Sequence, residues 1–339
     1  MTIYDISEKA GVSIATVSRV LNGSNNVSEK TKAKVLAVMN ECDYTPNAFA
    51  RGLGLNTMQT IGILCADSSD YYLAKAIYYL EQSLRQNGYD SLLCCTGYEF
   101  TTKEKYLNLL ISKKVDSVIL VGSNFVSIQN AENNYIRNAA NQVPVMLLNA
   151  ALDYPNVYGT LCDDFQAVYN TTNSMLNRGI TDILYLYNSN SYSGTRKMSG
   201  YKTAVELAGH YNPNLVQFFE GSPENMDEVT QFLDNLHKKG IQYHGVIASE
   251  DRLAIGALKY AHEQGMRIPE DLCIVGFNNS SLTKYCIPEL TSIDSRLEVL
   301  CNQLVTTLMG VLAGKEMPKQ TVFSGELIER GTFQTKLTT

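Results

Sequence analysis

From residue 60 onward, short apolar runs alternate with amphipathic segments of helix length. "TIGILCA" is followed by a helical pattern over 71–87, "DSLLCC" by one over 102–113, "DSVILV" by one over 127–140, and then comes "PVMLLN". The same beat restarts with a helical pattern at 163–178 and continues through "DILYLY", 196–209, 224–238, "GVIAS", 251–264 and "LCIVGF". Strands that alternate with helices need crossover connections, so this order predicts parallel sheets with helices packed on them. Two runs of similar length predict two similar α/β subdomains. Ligands in such sheets sit beyond the carboxyl ends of the strands, and between paired lobes the natural site is the cleft. The segments expected there, "DSSDYY", "NAALD", "NSNSYSGTRK", "SEDR" and "FNNSS", are rich in Asn, Ser, Asp and Tyr.

The first 58 residues follow a different rule, with short helical segments and no strand signal. Thr2 and Asp5 form a capping-box start, and Gly11 supplies a left-handed stop. Ser13 caps a second helix over 14–21, which Asn22-Gly23 ends, and Ser28 opens a third that runs to about Asn40. At about 100° per residue from Ile14, Val17, Val20 and Leu21 fall between about 240° and 340°, the core side. Ala15, Ser18, Arg19 and Asn22 fall on the opposite arc. An ordinary solvated face has this pattern, and so does a helix that lies in a major groove, where arginine bonds guanine O6 and N7 together. The tight turn in "KAGVSIATVS" favours the second alternative, because it sets two helices at the steep angle of a helix-turn-helix.

Charge sharpens the point. The formal net charge is −6, which argues against a protein that coats nucleic acid through charge alone. Residues 1–58 nevertheless hold six basic and five acidic side chains, leaving −7 on the other 281 residues, so any DNA contact belongs to the N-terminal segment.

Several classes are disfavoured. The longest apolar runs, "SVILVG" and "PVMLLNAAL", fall short of the roughly 18 to 20 residues that cross a bilayer, and no apolar leader opens the chain, so a soluble cytoplasmic protein is expected. Cys65, Cys94, Cys95, Cys162 and Cys273 lie in apolar strand-like runs without C-x-x-C spacing, which predicts buried free thiols. The four histidines, His210, His237, His244 and His262, lack metal-ligand spacing. No metal and no cofactor is expected. There is no G-x-S-x-G elbow and no P-loop, and no enzyme is predicted.

The run "TIYDISEKAGVSIATVSRVLNGSNNVSEKTKAKVLAVMNECDYTPNAFARGL" resembles the DNA-binding head of the lactose-repressor family nearly position for position, and most of all its catabolite-control branch. The later segments "DRLAIGAL", "IVGFNN", "PELTSI" and "LIERGT" resemble that family's periplasmic-binding-protein-like core. The resemblance implies an all-α helix-turn-helix head over 1–46, a hinge helix and linker over 47–59, and a core over 60–339 of two parallel-sheet subdomains. Their expected bounds are about 60–161 with 291–321, and 162–290 with 322–335. It also implies a dimeric transcriptional regulator, a repressor, on double-stranded operator DNA. Carried over by position, Ile14 and Ala15 lie against base edges and Arg19 reads a guanine. Tyr4, Ser13, Thr16, Asn22, Asn26 and Asn47 hold the phosphate backbone, with Ser18 on the same face. In the hinge, Ala50 faces DNA and Leu53 matches the leucine wedged into the central base step. Gly52 and Gly54 each cost about 0.8 to 1 kcal/mol in a helix interior, so the hinge is expected to form a helix only on DNA.

For the core, the resemblance implies an interlobe effector site. Tyr72 and Leu73 stand where the family stacks apolar or aromatic side chains on a ligand ring. Four positions that read Asp, Arg, Asn and Asp in many sugar-binding members read Asn149, Lys197, Glu250 and Asn278 here. Arg196 is a further candidate, and an inward pair of Arg196 and Lys197 would favour an anionic ligand. Glu250 is expected either to accept from ligand hydroxyls or to pair with Lys197. A sugar or related polyol is the leading effector class, ahead of nucleosides and sugar phosphates. Control by a protein partner, as in the catabolite-control branch, stays open, as does a ligand receptor without a DNA role. The short tail "FQTKLTT" holds no leucine heptads, so a dimer is expected without a tetramerising coiled coil.

Overall fold

A computed structural model describes residues 1–21, 26–44 and 57–335. The N-terminal unit has three helices, Ile3–Ala10, Ile14–Leu21 and Glu29–Glu41. The first begins with a reciprocal capping box: the Thr2 N–H donates to Asp5 Oδ2 at 2.7 Å and the Asp5 N–H to Thr2 Oγ1 at 3.5 Å. It ends at Gly11, whose φ of 58° is the left-handed conformation that glycine adopts without strain. Ile6, Ala10, Val17, Val20, Val35 and Met39 form its small core.

The remaining residues carry the strands β1 Thr60–Cys65, β2 Asp90–Cys95, β3 Ser117–Val121, β4 Val145–Leu148, β5 Val157–Cys162, β6 Ile183–Tyr187, β7 Val216–Phe218, β8 Gly245–Ala248, β9 Cys273–Phe277, β10 Thr291–Asp294, β11 Gln320–Phe323 and β12 Glu326–Ile328. They form two six-stranded sheets, in the orders β11-β5-β4-β3-β1-β2 and β12-β10-β9-β8-β6-β7. Every pairing is parallel except β10 with β12. The expected architecture of two parallel-sheet lobes is present. Helices cover both faces of each sheet, as parallel sheets require.

The expected subdomain bounds need correction at the second crossing. Residues 291–294 were assigned to the first lobe, but β10 pairs with β9 in the second sheet, with Thr291 opposite Val275. The Thr291 hydroxyl donates to the Phe333 carbonyl at 2.7 Å, and the Ser292 hydroxyl to Asp251 at 2.6 Å, which fixes β10 there. The chain then passes to the first lobe, where the helix Leu297–Leu312 packs on β4 and β5 and adds Leu300, Leu304 and Leu308 to the core. Val322 and Phe323, expected in the second lobe, belong to β11 in the first sheet.

Two local expectations also fail. Periodicity predicts one helix over 127–140, whereas the helix is Asn134–Ala140, preceded by short 3₁₀ turns. Asn133, which is 2% exposed, accepts from the Ser127 N–H and donates to the Ser127 carbonyl, both at 2.8 Å, closing a loop in place of two helical turns. Of the thiols expected to be buried, Cys95 is exposed and Cys94 half-buried, because β2 is the edge strand. All eight cysteines are free. Among the described residues no helix is long and apolar enough to cross a membrane.

Candidate functional site

The second helix of the head presents the face that its periodicity predicts. Val17 and Val20 are buried and Leu21 packs on the same core, while Ile14, Ala15 and Arg19 are exposed. Ile14 leaves 40% of its surface open. Ser13 starts this helix: its hydroxyl accepts from the Thr16 N–H at 3.2 Å and bonds the Thr16 hydroxyl at 2.9 Å. The turn before it is tied by the Ser7 hydroxyl, which donates to the Val12 carbonyl at 2.7 Å. Tyr4, 67% exposed, and Asn26 stand on the surface, with Thr16 and Ser18 half-exposed. Asn22, Asn47, Ala50 and Leu53 lie outside the described residues.

Between the lobes lies a cleft of about 530 Å³. Tyr72, Leu73, Asn149, Lys197, Glu250 and Asn278 all line it. In parallel sheets every strand delivers its carboxyl end to the same edge, where Asn149, Glu250 and Asn278 follow strand ends and Tyr72, Leu73 and Lys197 lie in the first two turns of helices. Asn149 and Asn278 adopt φ of 60° and 95°, conformations that asparagine tolerates better than most residues. The Asn149 side chain also accepts the Cys162 N–H at 3.3 Å, which ties the ends of β4 and β5.

The electrostatics differ from expectation in two places. Lys197 does not pair with Glu250: its ammonium donates to the Ser249 carbonyl at 3.1 Å and lies 3.5 Å from the centroid of the Phe277 ring. Burial lowers the Lys197 pKa, against the opposing field of Asp164. Arg196 does not line the cleft but donates to Asp163 at 3.1 Å. One residue is about 100° of helix, which turns adjacent side chains away from each other.

The residue that sequence reasoning missed is Arg252. Its guanidinium donates to Asp70 at 2.6 Å, Glu224 at 3.0 Å and Glu250 at 3.1 Å. The second oxygen of Glu250 accepts the Asn188 amide at 2.9 Å. Burial raises the Glu250 pKa against the lowering effect of Arg252. The signal for Arg252 lies in "SEDR", where the cation directly follows two carboxylates. The cleft also draws on Tyr98 and on Gly122–Asn124, loops that were not singled out.

The chain is 56% identical over 332 residues to an HTH-type transcriptional regulator of Lachnoclostridium phytofermentans, covering 98% of this chain and 99% of that one. Residues 2–47 match the family described as bacterial regulatory proteins, lacI family. The chain belongs to the lacI family. Residues 172–333 match the periplasmic binding protein-like domain. Catabolite control protein A of Priestia megaterium is 28% identical, over 86% of this chain and 87% of that protein. In fold, the crystal structure of the lac repressor dimer bound to operator and the anti-inducer ONPF superposes with a TM-score of 0.87, at 22% identity and 98% coverage of each chain. The transcriptional regulator CelR–cellobiose complex gives 0.71 at 22% identity, over 98% of this chain and all of that one. This lacI-family member is accordingly a DNA-binding transcriptional regulator with an effector-binding core, and not an enzyme.

Proposed function

We propose that the protein represses transcription in the cytoplasm by binding a pseudo-palindromic operator as a homodimer, and that a neutral saccharide in the interlobe cleft controls it. In the head, Arg19 bonds a guanine, and Ile14 and Ala15 make apolar contact with base edges such as a thymine methyl. Tyr4, Ser13, Thr16, Ser18 and Asn26 sit on the phosphates, joined by Asn22 and Asn47. Ala50 and Leu53 act in the central minor groove.

The observation that carries the effector class is the charge state of the cleft. Its lining holds two acidic side chains, Asp70 and Glu250, and two basic ones, Lys197 and Arg252. Arg252 is held by both carboxylates and Lys197 by a carbonyl and a ring. The two carboxylates and two cations leave the lining without net formal charge, and Asn and Ser groups supply much of the remaining hydrogen-bonding capacity. That set suits hydroxyls. Lobe closure on a bound sugar alters DNA affinity only as far as the sugar prefers one lobe arrangement.

The test has two parts on the full chain. Selection from a random duplex pool should return a pseudo-palindrome bound with steep salt dependence. Thermal shift against neutral sugars, sugar phosphates and nucleosides should respond to neutral sugars, since a ligand specific for the folded state raises its stability. A response confined to sugar phosphates or nucleosides would sink the saccharide reading. Silence throughout, with operator binding intact, would favour control by a protein partner.

A further inference from the structure

Cys65 and Cys95 end the neighbouring parallel strands β1 and β2 and stand directly opposite each other in register. Their sulfurs lie 3.7 Å apart, on one side of the sheet. Neighbouring strands run about 4.8 Å apart. That spacing falls inside the range of roughly 4.4 to 6.8 Å between Cα atoms that a disulfide spans. A bond requires the sulfurs to close to about 2.05 Å, a shift that rotation about the two Cα–Cβ bonds can supply without moving the strands.

The two thiols differ in access. Cys95 is exposed, because β2 is the edge strand. Cys65 is buried in the core that the helices Tyr71–Gln86 and Leu297–Leu312 complete. Burial, and after it the contact with Cys95, pushes the Cys65 thiol up to about 12. Cys65 is therefore shielded from reagents in solution, whereas Cys95 can meet them. Cys94, the residue before, turns to the opposite face of the sheet and packs on the other core of the lobe. Two thiols are too few for a structural metal site, and among the described residues no group of three or more His, Cys, Asp or Glu side chains completes one. What the pair can do is react with itself.

Its place in the fold is the foot of the cleft. β1 runs into the loop that carries Asp70, β2 into the loop that carries Tyr98, and both residues line the cleft. The Thr96 and Gly97 N–H groups donate to the Cys65 and Ala66 carbonyls at 2.9 and 2.8 Å, which holds the two strand ends side by side. We propose that Cys65 and Cys95 form an oxidation site, which a hydroperoxide converts to a disulfide within one chain. With hydrogen peroxide, Cys95 Sγ attacks one oxygen, the O–O bond breaks, and the thiol becomes a sulfenic acid with release of one water. Cys65 Sγ then displaces the hydroxyl from the Cys95 sulfur, and the Cys65 proton leaves with that oxygen as a second water. The peroxide gains the two electrons and two protons that the thiols lose. The site acts independently of whatever fills the cleft.

The test treats the reduced full chain with hydrogen peroxide, alkylates the remaining thiols under denaturing conditions and maps the peptides by mass spectrometry. Two of the eight thiols should escape alkylation. A peptide pair joined through Cys65 and Cys95 should appear, lighter by two hydrogens than the separate peptides, and dithiothreitol should restore all eight thiols. Cys95→Ser, at an exposed position, should abolish the link, and Cys94→Ser should leave it in place. Cys65→Ala should leave Cys95 as a sulfenic acid that dimedone traps. Eight alkylated thiols after peroxide, a Cys95 that proceeds to sulfinic acid in the parent chain, or a link formed only between two chains would each overturn the proposal.

Discussion

Arg252 Nη2 lies 2.6 Å from Asp70 Oδ2 and joins the two lobes across the mouth of the cleft. Both side chains are largely shielded, at 15% and 19% exposure. The same carboxylate caps the helix Tyr71–Gln86, its other oxygen accepting the Leu73 N–H at 2.9 Å. Any change of lobe angle has to keep or break this bridge.

Asp70→Asn separates the two roles, because the amide oxygen can still cap the helix while the charge is lost. Loss of the charged bond should cost the closed arrangement about 1–2 kcal/mol, raising the effector concentration for half-maximal response by roughly five- to thirtyfold. Operator occupancy titrated against effector by fluorescence anisotropy reads this directly, and an unmoved midpoint would show that the bridge does not report lobe closure.

Asp251 supplies a pH test. Burial pushes its carboxyl up to about 6, although Ser292 and the Ser280 N–H donate to it. The folded chain therefore holds this proton more tightly than the unfolded chain, whose carboxyl titrates near 3.8. The sign is that Asp251 lowers stability as pH rises from about 4 to about 6, by roughly 3 kcal/mol at full ionisation. Asp251→Asn keeps an acceptor for Ser280 and cannot ionise. Its urea midpoint should gain on that of the parent across this window and run parallel above about pH 7; a constant offset at all pH values would contradict the assignment.

Arg19→Ala should weaken operator binding by about 1–3 kcal/mol and relax preference at one base pair in each half-site. Thr16→Ala, in contrast, should weaken binding to all sequences alike. Competition of the selected operator against single-base variants distinguishes the two. A uniform loss for Arg19→Ala would make it a phosphate contact.

Gly200 sits where the helix Tyr192–Leu207 crosses the helix Asp164–Asn177. A Cβ at that position would come within 2.3 Å of the Phe165 carbonyl oxygen and 3.1 Å of the Tyr169 nitrogen, both backbone atoms. Gly200→Ala should therefore force the helices apart and lower unfolding stability by about 1–3 kcal/mol, measured by urea denaturation. Gly209→Ala is the contrasting case, with no atom near the new methyl but a φ of 76° to strain.

Periodicity made the lobes and the head legible because strands such as β1 and β3 are apolar almost throughout, and the head's helices carry their own caps. β5, "VYGTLC", is not legible because Tyr158, Gly159 and Thr160 together break its apolar run. That glycine is needed there, since a Cβ would meet the Ala150 carbonyl oxygen at 2.7 Å. The cleft's asparagines and Lys197 are legible by position, but their bonds are not, because Lys197 takes its partners from distant loops and Glu250 joins Asn188 from another loop as well as the neighbouring Arg252. Which carboxylate an arginine meets depends on lobe geometry, and no local spacing encodes it. Arg252 is the clearest case, with Asp70 lying 182 residues away.

The three crossings between lobes also bear on biosynthesis. The face of the first sheet that receives Leu300, Cys301, Leu304, Val305 and Leu308 belongs to strands made more than a hundred residues earlier. On the ribosome, the face of the lobe that emerges first is covered only in part, by the helix Tyr71–Gln86, until the helix Leu297–Leu312 follows. A chain released before that helix would thus lose the older lobe together with the newer one.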